Sequence, residues 1–212
     1  MLPADHFVYP EERFFNYVRY AQQFVASHPS RIAVLGAIPD RPEPGYGWIV
    51  PSPFFDPRGD GPEPTGFPVS SFEEKPATGR AVRLFHHGCL WNSMVVVCRA
   101  VTLWSLGWER EPDLMRRFEN LRQVVRAVRA GRVSAEHEAL AMSALCMNIR
   151  RFDLSRSILS HAAADMHVIP MPEVSWSDWG RPERVAHSLQ ELRCEPLIGL
   201  RTVGTSSPAG RV

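Results

Sequence analysis

Apolar and polar positions alternate along the chain with two different periods. Between Glu11 and His28 the apolar residues Phe14, Phe15, Val18, Ala21 and Val25 fall at helical spacing and stop before Pro29, so a helix is expected there. RIAVLG from Arg31 reads as a short buried strand. A Pro/Gly-rich loop, PDRPEPGYG, separates it from WIV, which resumes an extended run. From Pro51 to Gly66 the composition is again Pro, Gly and Asp, which predicts a long hairpin-like connection into a strand at PVSSFEE. ATGRAVRLFHHG suits a short helix. LWNSMVVVC, Leu90 to Cys98, is the most strand-like run, and its three consecutive valines imply burial on both faces.

The second half is more helical. In Asp113 to Arg132, Leu114, Phe118, Leu121, Val125 and Val128 form one stripe that the arginines at 116, 122, 126 and 129 mostly avoid, so those arginines suit a solvated face. Asp153 or Ser155 could cap a helix over LSRSILSHAAA. MHVIP and EVSW follow as short strands, and Pro182 suits the first turn of a final helix, PERVAHSLQELR. The tail TVGTSSPAGRV is small and polar. Alternating strands and helices indicate an α/β fold, with one main domain over 1–193 and a short tail over 194–212.

Composition narrows the function classes. The 24 basic and 23 acidic side chains leave a net charge of +1, so no global field points to nucleic acid or an anionic membrane. No stretch approaches the roughly 18 apolar residues of a membrane span, and the start lacks the basic and apolar regions of a signal peptide. A cytoplasmic protein is expected. Cys89, Cys98, Cys146 and Cys194 form no C-x-x-C pair and read as reduced thiols. HEALA from His137 has Ala141 where a zinc-protease helix needs its second histidine. No Walker loop, G-x-S-x-G elbow or G-x-G-x-x-G fingerprint occurs.

One residue stands out. Lys75 is the only lysine among 212 residues that otherwise use arginine, which suggests a point contact that a guanidinium fork would not make. The bland alternative is chance retention of an exposed lysine. Four patches surround or accompany it: PADH (Pro3–His6), PEPGYG (Pro42–Gly47), EKP with LWNS (Glu74–Pro76, Leu90–Ser93), and WSDWG (Trp176–Gly180).

In this order, over residues 1 to about 185, the patches resemble the mannose-1-phosphate guanylyltransferase branch of the sugar-phosphate nucleotidyltransferases. The resemblance implies a reaction in which a sugar 1-phosphate attacks the α-phosphorus of a nucleoside triphosphate, giving a nucleotide-sugar, of GDP-mannose type, and pyrophosphate. It implies a partial doubly wound, Rossmann-like nucleotidyltransferase sheet with an inserted hairpin region. By the same resemblance Asp5 and Asp178 hold Mg²⁺ and must converge across 173 positions, Asp178 and Lys75 are catalytic, and Lys75 meets the sugar phosphate. Gly45 and Gly47 permit close approach of a sugar ring with Tyr46 as a wall, and Glu74 and Asn92 hydrogen-bond its hydroxyls. Each residue keeps an ordinary alternative: turn or cap acids for Asp5 and Asp178, a turn for the glycines, and edge polarity for Glu74 and Asn92.

Departures from the pattern are Pro44 in place of threonine and Met94 in place of the glycine after WNS. The family's glycine-rich triphosphate signature is absent from the sequence. That implies a truncated or fragmentary chain that meets nucleoside triphosphate only when the missing segment is supplied. It would be inactive alone, with the apolar runs IAVLG and MVVVC incompletely covered and self-association into homo-oligomers a consequence. The alternative is a non-catalytic descendant that binds a sugar phosphate or a partner chain.

Overall fold

The structure, a computed structural model, describes residues 1–52 and 66–192. The strands are β1 (Phe7–Tyr9), β2 (Ile32–Ala37), β3 (Gly47–Pro51), β4 (Phe67–Glu74), β5 (Leu90–Val97), β6 (Met166–Met171) and β7 (Ser175–Ser177). The helices are α1 (Glu11–Ser27), α2 (Thr78–His86), α3 (Ala100–Arg110), α4 (Pro112–Arg129), α5 (Ala135–Asn148), α6 (Leu154–Ser157) and α7 (Pro182–Glu191). The expected α/β character is present, and the periodic segments fall where their patterns place them. The stretch LSRSILSHAAA is the exception. It forms only one turn of helix, α6, capped by Asp153 through Arg156 N, and continues as two short 3₁₀ turns.

Five strands close into a barrel in the order β2-β5-β3-β4-β6, while β1 and β7 form a separate antiparallel ribbon. Among the described strands the pairing β2–β6 is parallel and the others are antiparallel. A doubly wound parallel order is therefore not formed by these strands. Phe67 and Pro68 pair with Val168 and His167 to close the circle. The connection expected at 51–66 falls largely on residues 53–65, outside the described residues, as does the expected tail.

Strand alternation divides the core. Ala33, Leu35, Ala37, Trp48, Trp91, Val95 and Ile169 pack with Phe14, Ala21 and Val25 of α1 and Ala81 and Leu84 of α2. Ile32, Val34, Ile49, Leu90, Val96 and Val168 pack on the opposite face with Leu159 and Ala162. Gly36 belongs to that second face: a Cβ there would lie 2.7 Å from Leu90 Cδ1 and 2.8 Å from Val168 Cγ2, so the strands can close only around a glycine. Every residue of β2 is buried, and β5 is buried over most of its length. This overturns the expectation that IAVLG lacks covering, whereas in MVVVC only Val95 and Val96 are buried and Met94, Val97 and Cys98 stay half-buried. The barrel supplies on its own faces what a further sheet segment was expected to supply.

The cysteines at 89, 98 and 146 are free. Among the described residues no helix is long and apolar enough to cross a membrane.

Candidate functional site

Strand register brings the first group together. In β3–β4, Gly47 stands opposite Glu74; in β3–β5, Trp48 stands opposite Trp91, which places Asn92 beside Gly47. The approach is close. A Cβ on Gly47 would lie 2.7 Å from Glu74 Oε2, 3.2 Å from Phe72 Cζ and 3.3 Å from Asn92 Cβ. A Cβ here would press on Phe72 and Asn92 and displace the Glu74 carboxylate, so the glycine lets both side chains lie close to this strand. Lys75 follows directly at the end of β4, with Nζ 3.5 Å from Glu74 Oε1 and its side chain 56% exposed. The Glu74 carboxyl is pushed above its ordinary range by burial, opposed by the Lys75 charge and reinforced by Asp153.

Asn92 is buried, and its amide is already engaged. Oδ1 accepts from Met94 N at 3.0 Å and Nδ2 donates to Met94 Sδ at 3.0 Å, while Ser155 Oγ also donates to that sulfur at 3.0 Å. Met94 adopts φ 58°, the left-handed region that favours glycine. The departure from glycine noted in the sequence thus has a physical consequence: a thioether fills the place beside the amide. Lys75 (φ 48°) and Trp179 (φ 45°) share this backbone state, so two of the quoted patches contain a left-handed residue and Met94 directly follows one of them.

The second group is built on the β1–β7 ribbon. Phe7 pairs with Ser177, which sets His6 opposite Asp178 with Asp5 one residue beyond. The two aspartates therefore converge at one end of the ribbon, and both charges act on His6. Burial lowers the His6 pKa, opposed by Asp5 and then Asp178, with a further contribution from the Ser93 backbone. His6 Nδ1 accepts from Trp176 Nε1 at 3.3 Å.

Tyr46 connects the groups. It is buried, its ring meeting Trp91 and Trp176 edge-on at centroid distances of 4.9 and 5.0 Å, and its hydroxyl donates to Asp178 Oδ1 at 3.3 Å. Tyr46 thus spaces and anchors the groups from within. Gly45 lies against a second contact: a Cβ there would sit 2.6 Å from Arg184 Nη2 and 2.7 Å from Glu43 Oε1, and its own N–H donates to Glu43 Oε1 at 2.8 Å.

Arg184, from the first turn of α7, is 8% exposed. Its Nη1 donates to Asp178 Oδ1 at 2.6 Å and also to Oδ2. Nη2 lies 3.4 Å from Glu43 Oε1, and the guanidinium stacks 4.2 Å from the Tyr46 ring centroid. Gly180 N adds a bond to Asp178 Oδ1 at 3.1 Å. These contacts decide how well the expected Mg²⁺ fits. Asp5 offers an open carboxylate, 83% exposed, whereas both oxygens of Asp178 already face a cation. As arranged, the pair does not fit a shared octahedral ion. Among the described residues the grouping with three metal-type ligand atoms close together is Asp40, His187 and Glu191, and there Arg41 Nη1 already binds Asp40 at 2.9 Å.

A cavity of about 490 Å³ runs between the ribbon and α7, lined by Tyr9, Ile38, Trp91, Trp176, Ser177 and His187 among others. Glu74, Lys75 and Asn92 do not line it. Glu43, His6 and Arg184 are the functional residues that sequence reasoning passed over. The first two sit inside quoted patches; Arg184 carries no motif signal, and only its burial reveals it.

No protein-family model matches the chain. It is 29% identical over 187 residues to mannose-1-phosphate guanylyltransferase ManC of Salmonella typhimurium, an alignment covering 85% of this chain and 35% of that protein. With mannose-1-phosphate guanylyltransferase RfbM of the same organism it shares 32% identity over 101 residues, covering 47% and 19%. The chain thus spans about a third or less of the length of these relatives. In fold it is similar to a Thermus thermophilus protein described as a mannose-1-phosphate geranyltransferase, with TM-score 0.66, 21% identity and coverage of 92% of this chain and 49% of that one. A mannose-6-phosphate isomerase from Helicobacter pylori gives TM-score 0.60 at 14% identity, covering 82% and 61%. The likeness read from four short patches is thus a likeness of sequence along most of the chain: its curated relatives are mannose-1-phosphate guanylyltransferases.

Proposed function

We propose that this chain carries the sugar-phosphate side of a nucleotidyltransferase site of the GDP-mannose-forming type. In the reaction, an oxygen of a sugar 1-phosphate attacks the α-phosphorus of a nucleoside triphosphate and pyrophosphate leaves. One observation carries the proposal: at Gly47 the missing Cβ lets Glu74 and Asn92 converge beside Lys75. Glu74 accepts hydrogen bonds from sugar hydroxyls, Asn92 holds the left-handed backbone at Met94 through its amide, and Lys75 meets the phosphate as a point charge. The left-handed backbone at Lys75 turns the chain at the end of β4, where its ammonium stays solvent-accessible. The proposal includes no divalent ion at Asp178 and extends to a doubly wound sheet only for a protein in which further strands flank the barrel.

A second reading, a sugar-phosphate-binding descendant without turnover, draws on the Arg184–Asp178 pair, which occupies the carboxylate expected to serve catalysis. Calorimetric titration of the 212-residue chain with mannose 1-phosphate tests the shared part. Saturable binding weakened at least tenfold by Glu74→Gln supports it; no binding by the folded parent contradicts it. Release of pyrophosphate from GTP with mannose 1-phosphate then separates turnover from binding alone.

A further inference from the structure

Asp178 is enclosed by donors. Tyr46 Oη, Gly180 N and Arg184 Nη1 all reach Oδ1, and Arg184 also reaches Oδ2. The guanidinium has little freedom to leave. It is buried, held on its other side by Glu43, stacked on Tyr46, and fixed by its place in the first turn of α7. Arg184 remains charged at any pH the protein meets, so the pairing is permanent in a way that a histidine pairing would not be. A divalent ion bridging Asp5 and Asp178 would need oxygen atoms at about 2.0–2.1 Å in octahedral array. The guanidinium lies on the carboxylate where such an ion would sit, and would repel one placed beside it.

We propose that Arg184 is the resident counter-ion of Asp178, standing in the position of the expected metal. It is a positioning residue: it locks the PEPGYG loop, through Glu43 and Tyr46, to α7 and to the end of the β1–β7 ribbon. The Arg184 guanidinium is already paired with Asp178 and Glu43, so it is not free to meet a phosphate. The phosphate of a sugar ligand is left to Lys75, and its binding needs no divalent ion. This inference rests on the sugar-phosphate reading of the neighbouring Glu74–Lys75 group, yet its readout is metal binding. Failure to bind mannose 1-phosphate would leave it standing.

The test is Mn²⁺ binding to the full chain, followed by electron paramagnetic resonance, for the parent, Asp178→Asn, Arg184→Met and the double variant. The parent and Asp178→Asn should bind alike. Arg184→Met should gain at least tenfold in affinity at a site that the double variant loses. Ions taken up at Asp40, His187 and Glu191 are common to all four proteins and cancel. A parent that binds Mn²⁺ tenfold or more tightly than Asp178→Asn overturns the proposal, as does a folded Arg184→Met variant with no gain. Should Arg184→Met fail to fold, the guanidinium proton resonances of Arg184 in the parent decide. They should stay unmoved by millimolar Mg²⁺, and a saturable shift that Asp178→Asn abolishes would overturn the assignment.

Discussion

The Gly47 end and the Gly45 end of the site use glycine for opposite purposes. At Gly47 the absent side chain makes room for groups that keep unspent capacity: Glu74 is a half-buried acceptor whose nearest cation, Lys75, is solvent-accessible. At Gly45 the absent side chain makes room for a closed contact, in which Glu43, Arg184, Asp178 and Tyr46 satisfy one another. The first arrangement is poised to receive a ligand and the second to hold the scaffold that presents it. Two glycines two positions apart in PEPGYG thus differ in role because their neighbours differ, which their sequence spacing does not reveal.

Substitution at these glycines should break that contrast most strongly. Gly47→Val places methyl groups against Phe72 and Asn92 as well as Glu74, and overpacking of this kind costs about 1–3 kcal/mol. Mannose 1-phosphate binding should disappear, and a denaturant melt should show the loss of stability. Gly45→Ala should instead lower stability by about 1–2 kcal/mol, as the Glu43–Arg184 contact parts, while binding changes less than threefold. Equal loss of binding in both variants would erase the distinction between the two ends.

Lys75→Met should weaken binding of mannose 1-phosphate about tenfold or more and leave that of mannose unchanged, since only the phosphate contact is lost. Lys75→Arg should fall between the parent and Lys75→Met.

Much of the scaffold was legible because local pattern determines it. Phe14, Ala21 and Val25 mark the buried stripe of α1, and IAVLG is buried throughout. Barrel closure was not legible, because Phe67–Val168 pairing joins segments a hundred residues apart and neither carries a partner-specific signal. The doubly wound expectation came from resemblance, whereas among the described residues the five barrel strands satisfy their edges among themselves. Of the site, Gly47, Glu74 and Asn92 lie together across β3, β4 and β5, and Asp5 and Asp178 reach the same end of the ribbon. Arg184 escaped notice because an arginine two residues into a helix looks like any solvated charge until its burial is seen.

Met94→Gly sharpens the comparison from the ligand side. It relieves the left-handed backbone and frees Asn92 Nδ2 from the thioether. Loss of the sulfur contacts offsets relief of the strain, so stability should stay within about 1 kcal/mol of the parent, while affinity for mannose 1-phosphate rises a few-fold.

A smaller effect belongs to the barrel beneath both ends. His167 on β6 has its pKa lowered by burial first, then by the charges of Arg31 and His28, and its Nδ1 is buried without a hydrogen-bond partner. Because the folded value lies below the ordinary 6.5, the neutral ring contributes stability above that pH, and the contribution is lost as pH falls through the lowered folded value. Thermal melts between pH 7 and pH 5 should show a steeper decline for the parent than for His167→Phe, whose ring keeps the contact with Phe24.

The central claim is that the Gly47–Glu74–Lys75–Asn92 end receives the sugar phosphate. Titrating mannose 1-phosphate into isotopically labelled protein, with amide shifts followed residue by residue, tests it most directly. The account requires saturable shifts centred on Gly47, Glu74, Lys75 and Asn92, undiminished by a metal chelator, with Arg184 and Asp178 changing little. Shifts centred on Asp178 and Arg184, or none around Gly47 at saturating ligand, would contradict it.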